Sequence, residues 1–137
     1  MIVREAETGD ELAAVTASAI ATLRHTYRPT AAAIARARPS RRLVAVARGE
    51  IVGTLEYDGG HVVGLFVHAD HRRRGVARAL LAALGPRELS LFTIRETGNV
   101  PIFVRLGFAV VREELATDYV SDVYAQLHEV HMLRAAF

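Results

Sequence analysis

The chain of 137 residues predicts a mixed α/β fold, an α+β arrangement in which one sheet carries helices on both faces. Three observations point there. Apolar residues recur at three- and four-residue intervals early in the chain. From residue 43 the pattern turns β-rich and is punctuated by glycine turns. A strand-helix-strand unit and further strand-like segments then fill the second half. The length suits one compact domain, residues 1–137, and a hydrophobic content of 51% is enough for a core without metal or disulfide staples.

The elements follow in order. Residues 3–6 suit a short first strand. Thr8-Gly9-Asp10-Glu11 has the spacing of a capping box, and the stripe Leu12, Val15, Ala19, Ile20 and Leu23 predicts a helix to about His25. Tyr27-Arg28-Pro29 interrupts it, Thr30 caps a second, alanine-rich helix through Ala37, and Pro39 ends that helix. Residues 43–47 and 51–57 flank Arg48-Gly49-Glu50 as a hairpin would. Asp58-Gly59-Gly60 supplies the next turn, and residues 61–68 form a strand with 61, 63, 65 and 67 on one side and 62, 64, 66 and 68 on the other. From Arg74, the positions Val76, Leu80, Leu81 and Leu84 are helical, and Gly85-Pro86 closes the helix. Residues 89–94 read as a strand, 100–106 as short or irregular helix, and 108–111 and 129–133 as the last strands.

Composition removes several function classes. There is no cysteine, hence no thiol nucleophile, thiolate metal site or disulfide. All seventeen basic residues are arginine, yet the net charge is only +2, small for general nucleic-acid binding, and no aromatics are interleaved with Arg72-Arg73-Arg74 or Arg41-Arg42. The opening Met-Ile-Val-Arg-Glu-Ala-Glu lacks the basic and apolar regions of a signal peptide, and no apolar run approaches the roughly 20 residues of a membrane span. A soluble, cytoplasmic protein with neither nucleic-acid nor membrane partner is expected.

The chemistry concentrates where the strand Gly64-Leu65-Phe66-Val67 ends in a polar turn, three arginines and a glycine before a helix. Unpaired N–H groups converge there on positive charge, which makes an anion site suited to a diphosphate. Gly75 and Ala77 keep bulk away so that backbone can approach the anion.

The run from Val67 through Arg72, Gly75 and Ala77 to Leu81 resembles motif A of the GNAT acetyltransferases, whose core is Arg or Gln, two residues, Gly, one residue, then Gly or Ala. Ala69 stands where the family usually has proline. Gly98-Asn99-Val100-Pro101-Ile102-Phe103-Val104-Arg105-Leu106-Gly107-Phe108 resembles motif B. With the upstream hairpin, the resemblance covers nearly the whole chain. It implies a mixed, mostly antiparallel sheet in which the strand ending at Val67 and the strand at 91–94 splay apart, often with a bulge, to admit pantetheine.

By that resemblance the cosubstrate is acetyl-CoA and the reaction is transfer of its acetyl group to an amine of a small molecule or peptide. Backbone around Phe66 and Val67 would hold the pantetheine and thioester. Arg72, Arg73, Arg74, Gly75, Val76 and Ala77 would hold the diphosphate, while Asn99 and Phe103 flank the cofactor arm. His61, eleven residues before Arg72, stands where some members place a glutamate base, with Glu56 or a water chain as alternatives. Phe103 occupies the place of a tyrosine that protonates the departing thiolate. Either the thiolate leaves unaided, or Tyr119 or Tyr124 substitutes, or the domain binds acyl-CoA without turnover. His68 and His71 read as turn residues rather than metal ligands, and no metal is expected. His128 and His131 read as strand or loop residues, with the acceptor cleft as their functional alternative, and Tyr27 as core or acceptor wall. Oligomeric state is open, with a homodimer among the options.

Overall fold

The computed structural model describes residues 1–21, 27–37 and 39–136, so Leu23 and His25 lie outside the described residues, as does the side chain of Ile20. Among the described residues, seven strands form one sheet in the order β1-β3-β4-β5-β6-β9-β7, and β2 and β8 form a separate pair. Strand β1 (Ile2–Glu5) leads to helix α1 (Ala13–Ala21), β2 (Arg28–Pro29) and helix α2 (Ala31–Arg36). Strands β3 (Arg41–Ala47), β4 (Glu50–Asp58) and β5 (His61–Val67) form an antiparallel meander. A 3₁₀ turn at Ala69–His71 precedes helix α3 (Val76–Ala82). Strand β6 (Leu89–Ile94), helix α4 (Val100–Arg105), β7 (Ala109–Leu115), β8 (Tyr119–Val120) and β9 (His128–Arg134) complete the chain.

The expected capping box does not form. The Asp10 carboxylate instead accepts from both terminal nitrogens of Arg4, each at 2.9 Å, and from the Glu7 N–H at 2.7 Å, closing a turn at Gly9. The Thr8–Glu11 segment is thus a turn closed by Asp10, and α1 starts only beyond it, at Ala13. Thr30 does cap α2, accepting from the Ala33 N–H at 3.2 Å. Pro29 does more than break a helix, because Arg28 and Pro29 pair with Val120 and Tyr119.

One face of the sheet packs on α3. Val76, Leu80 and Leu81 join Leu43, Ala45, Leu55, Leu91 and Met132 in one cluster, and full burial of Leu80 and Leu81 contributes about 1.5–3 kcal/mol each. Gly53 belongs to this face, paired with Ala45 and Val67. A Cβ there would lie 2.6 Å from Val76 Cγ1 and 3.1 Å from Leu80 Cδ1, so glycine is what lets α3 sit close on β4. The opposite face carries α1 against β4 and β5, with Val15, Val44 and Thr54 buried.

Strand β5 departs from simple alternation. Glu56 pairs with Gly64 but Tyr57 pairs with Val62, leaving Val63 as the extra residue of a bulge. Val62, Leu65 and Val67 consequently all face the α3 core, whereas uninterrupted alternation would separate Val62 from the other two. His61, before the bulge, and Phe66, after it, share the α1 face.

Candidate active site

The bulged strand is also where the sheet opens. β5 and β6 run parallel and pair only at His61 with Ser90 and Val62 with Leu91. Beyond Val62 the two strands part, leaving the β6-facing edge of β5 from residue 63 to Val67 without a strand partner among the described residues. An extended polar ligand with amide groups can add to such an edge as a strand would.

The cleft runs toward the loop between β5 and α3. The Val67–Ala69 turn is tied at both ends, by the His68 N–H to Val52 O at 2.9 Å and by the Ala69 N–H to the Ser18 hydroxyl at 2.9 Å. The second bond needs a residue other than proline at 69, so α1 supplies the rigidity that a proline ring would otherwise give. His68 Nδ1 accepts from the Asp70 N–H at 3.2 Å, and its ring lies 5.8 Å from that of His71.

Arg72, Arg73 and Arg74 are exposed, and among the described residues no ion pair or hydrogen bond engages their guanidinium groups. Arg73 and Gly75 both adopt left-handed backbone, φ 61° and 78°. Nothing lies within 4 Å of a Cβ placed on Gly75, so its conformation, rather than crowding, calls for glycine. Beside the loop, a cavity of about 530 Å³ is lined by Arg48, Glu50, His71, Arg74 and Val76 among others. Of the motif B residues, Asn99 is the first-turn flank of α4 with no side-chain cap bond, and Phe103 packs edge-on to Phe108 at 6.1 Å against the core that also holds Val76.

Several side chains share the α1 face because their neighbours point into the α3 core. His61 precedes Val62, Glu56 follows Leu55, Phe92 follows Leu91, and His131 sits between Val130 and Met132. The three rings form a row, with His61 4.7 Å from Phe92 and Phe92 4.2 Å from His131. Phe92 remains 51% exposed, an apolar platform open to a ligand.

His61 Nδ1 lies 2.9 Å from Ser90 Oγ. Burial, opposed by Asp58, draws its pKa below the ordinary 6.5, which favours the neutral imidazole that can take a proton. Glu56, the alternative base, is engaged by the Ser40 hydroxyl and by Arg42 at 3.4 Å. Tyr119 stands edge-on to Tyr27, 5.3 Å between ring centres, and burial raises both phenol pKa values, so each keeps its proton at neutral pH. Tyr124 lies in the segment between β8 and β9, its N–H 3.4 Å from Ser121 Oγ. Ser18, Gly53, Ser90 and Phe92 escaped sequence reasoning, since only pairing across the sheet gives them a role.

Residues 8–127 match the family described as acetyltransferase (GNAT) domain. No curated protein sequence matches the chain. Among solved structures, smu.2055 from Streptococcus mutans UA159 superposes with a TM-score of 0.70 at 17% identity, covering 98% of this chain and 99% of its own. An N-acetyltransferase from Staphylococcus aureus Mu50 does so with a TM-score of 0.66 at 16% identity, covering 98% and 97%. A Bacillus anthracis protein solved in complex with acetyl coenzyme A gives a TM-score of 0.66 at 12% identity, covering 99% of each chain. At these identities the likeness is one of fold.

Proposed function

Because the chain belongs to the GNAT acetyltransferase family, we propose that it moves an acetyl group from acetyl-CoA to an amine of a small molecule or peptide by direct attack, residues 1–137 acting as one domain. The observation that carries this reading is the parting of β5 from β6 after two residue pairs, in line with the arginine loop. The similar fold bound to acetyl coenzyme A supports the choice of donor.

Acetyl-CoA would supply the activated thioester. The free edge of β5 around Phe66 and Val67 would take the pantetheine amides, and a backbone N–H near Val67 would meet the carbonyl oxygen as it gains charge. The first N–H groups of α3 from Val76 and Ala77, with Arg72, Arg73 and Arg74, would neutralise the diphosphate, Gly75 setting the turn. Asn99 and Phe103 would border the arm of the cofactor.

His61 is the base we favour. Its Nδ1 is held by Ser90, and its Nε2 makes no hydrogen bond among the described residues, whereas Glu56 is committed to Ser40 and Arg42. The amine would lie on Phe92 and lose its proton to His61 directly or through one water. Phe103 has no proton to give. The thiolate therefore leaves unaided or is met by Tyr119, with Tyr124 the less favoured donor. This reading places the protein in the cytoplasm, and no helix among the described residues is long and apolar enough to cross a membrane.

Release of coenzyme A across a panel of primary amines tests the proposal, with turnover expected for at least one class. Tight acetyl-CoA binding with no turnover for any amine would favour a non-catalytic acyl-CoA-binding domain, the reading to which Phe103 lends support.

A further inference from the structure

At the far end of the ring row, three potential ligand atoms converge. Glu129 and His131 are two residues apart on β9 and so share a face, and Glu114 of β7 stands directly across from Glu129. His131 Nε2 lies 2.9 Å from Oε1 of Glu114 and 2.9 Å from Oε1 of Glu129, and the three atoms lie within 4.8 Å of one another. His131 is only 7% exposed, and its Nε2 makes no hydrogen bond among the described residues. A buried polar atom left in that state is costly, and two carboxylates facing each other across a ladder repel. Arg112 offers little relief, since its nitrogen reaches Glu114 only at 4.0 Å from an exposed position.

We propose that Glu114, Glu129 and His131 form a binding site for a divalent transition-metal ion. One nitrogen and two carboxylate oxygens suit such an ion. Ligands about 2.1 Å from a metal and at right angles to each other, as in octahedral coordination, lie about 3.0 Å apart, close to the two His131 separations. Packing of the His131 ring on Phe92 fixes the nitrogen, and half-exposed Glu114 leaves one side open for water ligands. Bound there, the ion would tie the exposed edge strand β7 to β9.

The site is independent of the acyl-transfer reading and is tested without turnover. Tag-free protein is titrated with ZnCl₂ by calorimetry, and with Co²⁺ followed by its visible absorption. One saturable equivalent is expected, weakened at least about tenfold by Glu114→Gln and by Glu129→Gln. Glu114 is exposed, so its variant keeps the fold, which circular dichroism checks. Absence of saturable binding up to millimolar Zn²⁺ would overturn the proposal. So would binding indifferent to both substitutions, or binding lost in His68→Asn/His71→Asn instead.

Discussion

From His61 to Leu84 the chain runs without interruption through β5, the arginine loop and α3, and every group proposed to hold the donor's thioester and diphosphate lies in that stretch. The groups proposed for the acceptor side are gathered from distant places: Phe92 on β6, His131 on β9, and Tyr27 and Tyr119 at the separate β2-β8 pair. The first region is secured by one helix on one core and keeps its geometry whatever the far strands carry. The second exists only when sheet order and register are right, and each strand can change its contribution without disturbing the others. A constant donor and a variable acceptor are best served by that division.

The contrast can be broken most forcefully at His61. His61→Ala should lower kcat by about 100- to 10,000-fold while leaving acetyl-CoA affinity within twofold, read by steady-state kinetics and calorimetry. In the wild type, activity should fall as pH drops through a value below 6.5, because protonation removes the base, and that limb should vanish in the variant. A profile unchanged by the substitution would move the base elsewhere.

Gly53→Val probes the donor side from beneath. Added methyl groups would press on Val76 and Leu80, costing about 1–3 kcal/mol of stability by chemical denaturation and shifting the start of α3, so acetyl-CoA should bind more weakly as well. Arg72→Ala should be milder, with about tenfold weaker acetyl-CoA binding, a shallower salt dependence and an unchanged Tm.

The smallest effect belongs to neither region. Arg4 and the Glu7 N–H hold the Asp10 carboxyl down to about 2, against about 3.9 when unfolded. A depressed carboxyl stabilises the fold above its unfolded pKa, and that contribution is lost as pH falls from about 4 toward 2. Arg4→Met should flatten this slope of Tm against pH and leave turnover at pH 7 intact.

Legibility in the sequence tracked the same division. Arg72, Gly75 and Ala77 could be read because glycine, charge and leucine spacing are local signals, and the chain indeed turns left-handed at Gly75 and buries Leu80 and Leu81. Strand β6 was legible to the residue for the same reason. The bulge at Val63 was not placed, since it is defined only by what Glu56 and Tyr57 do on the neighbouring strand. The β2-β8 pair joins two residues to two others some 90 positions away, beyond any periodicity. β7 runs on through Arg112, Glu113 and Glu114, charges that look like a loop yet suit an exposed edge strand. The capping box did not form because Asp10, held by Arg4 from outside the motif and by the Glu7 N–H, closes a turn where the helix was expected to begin.

The bond from the Ala69 N–H to Ser18 joins the turn next to the arginine loop with the helix that covers the opposite face of β4 and β5. Whatever steadies that turn steadies the helix too, so occupancy on one side of the sheet lowers the entropic cost of occupancy on the other. Under the proposed reaction that linkage makes donor and amine strengthen each other's binding, and Ser18→Ala should weaken this mutual effect, read by amine titration with and without acetyl-CoA.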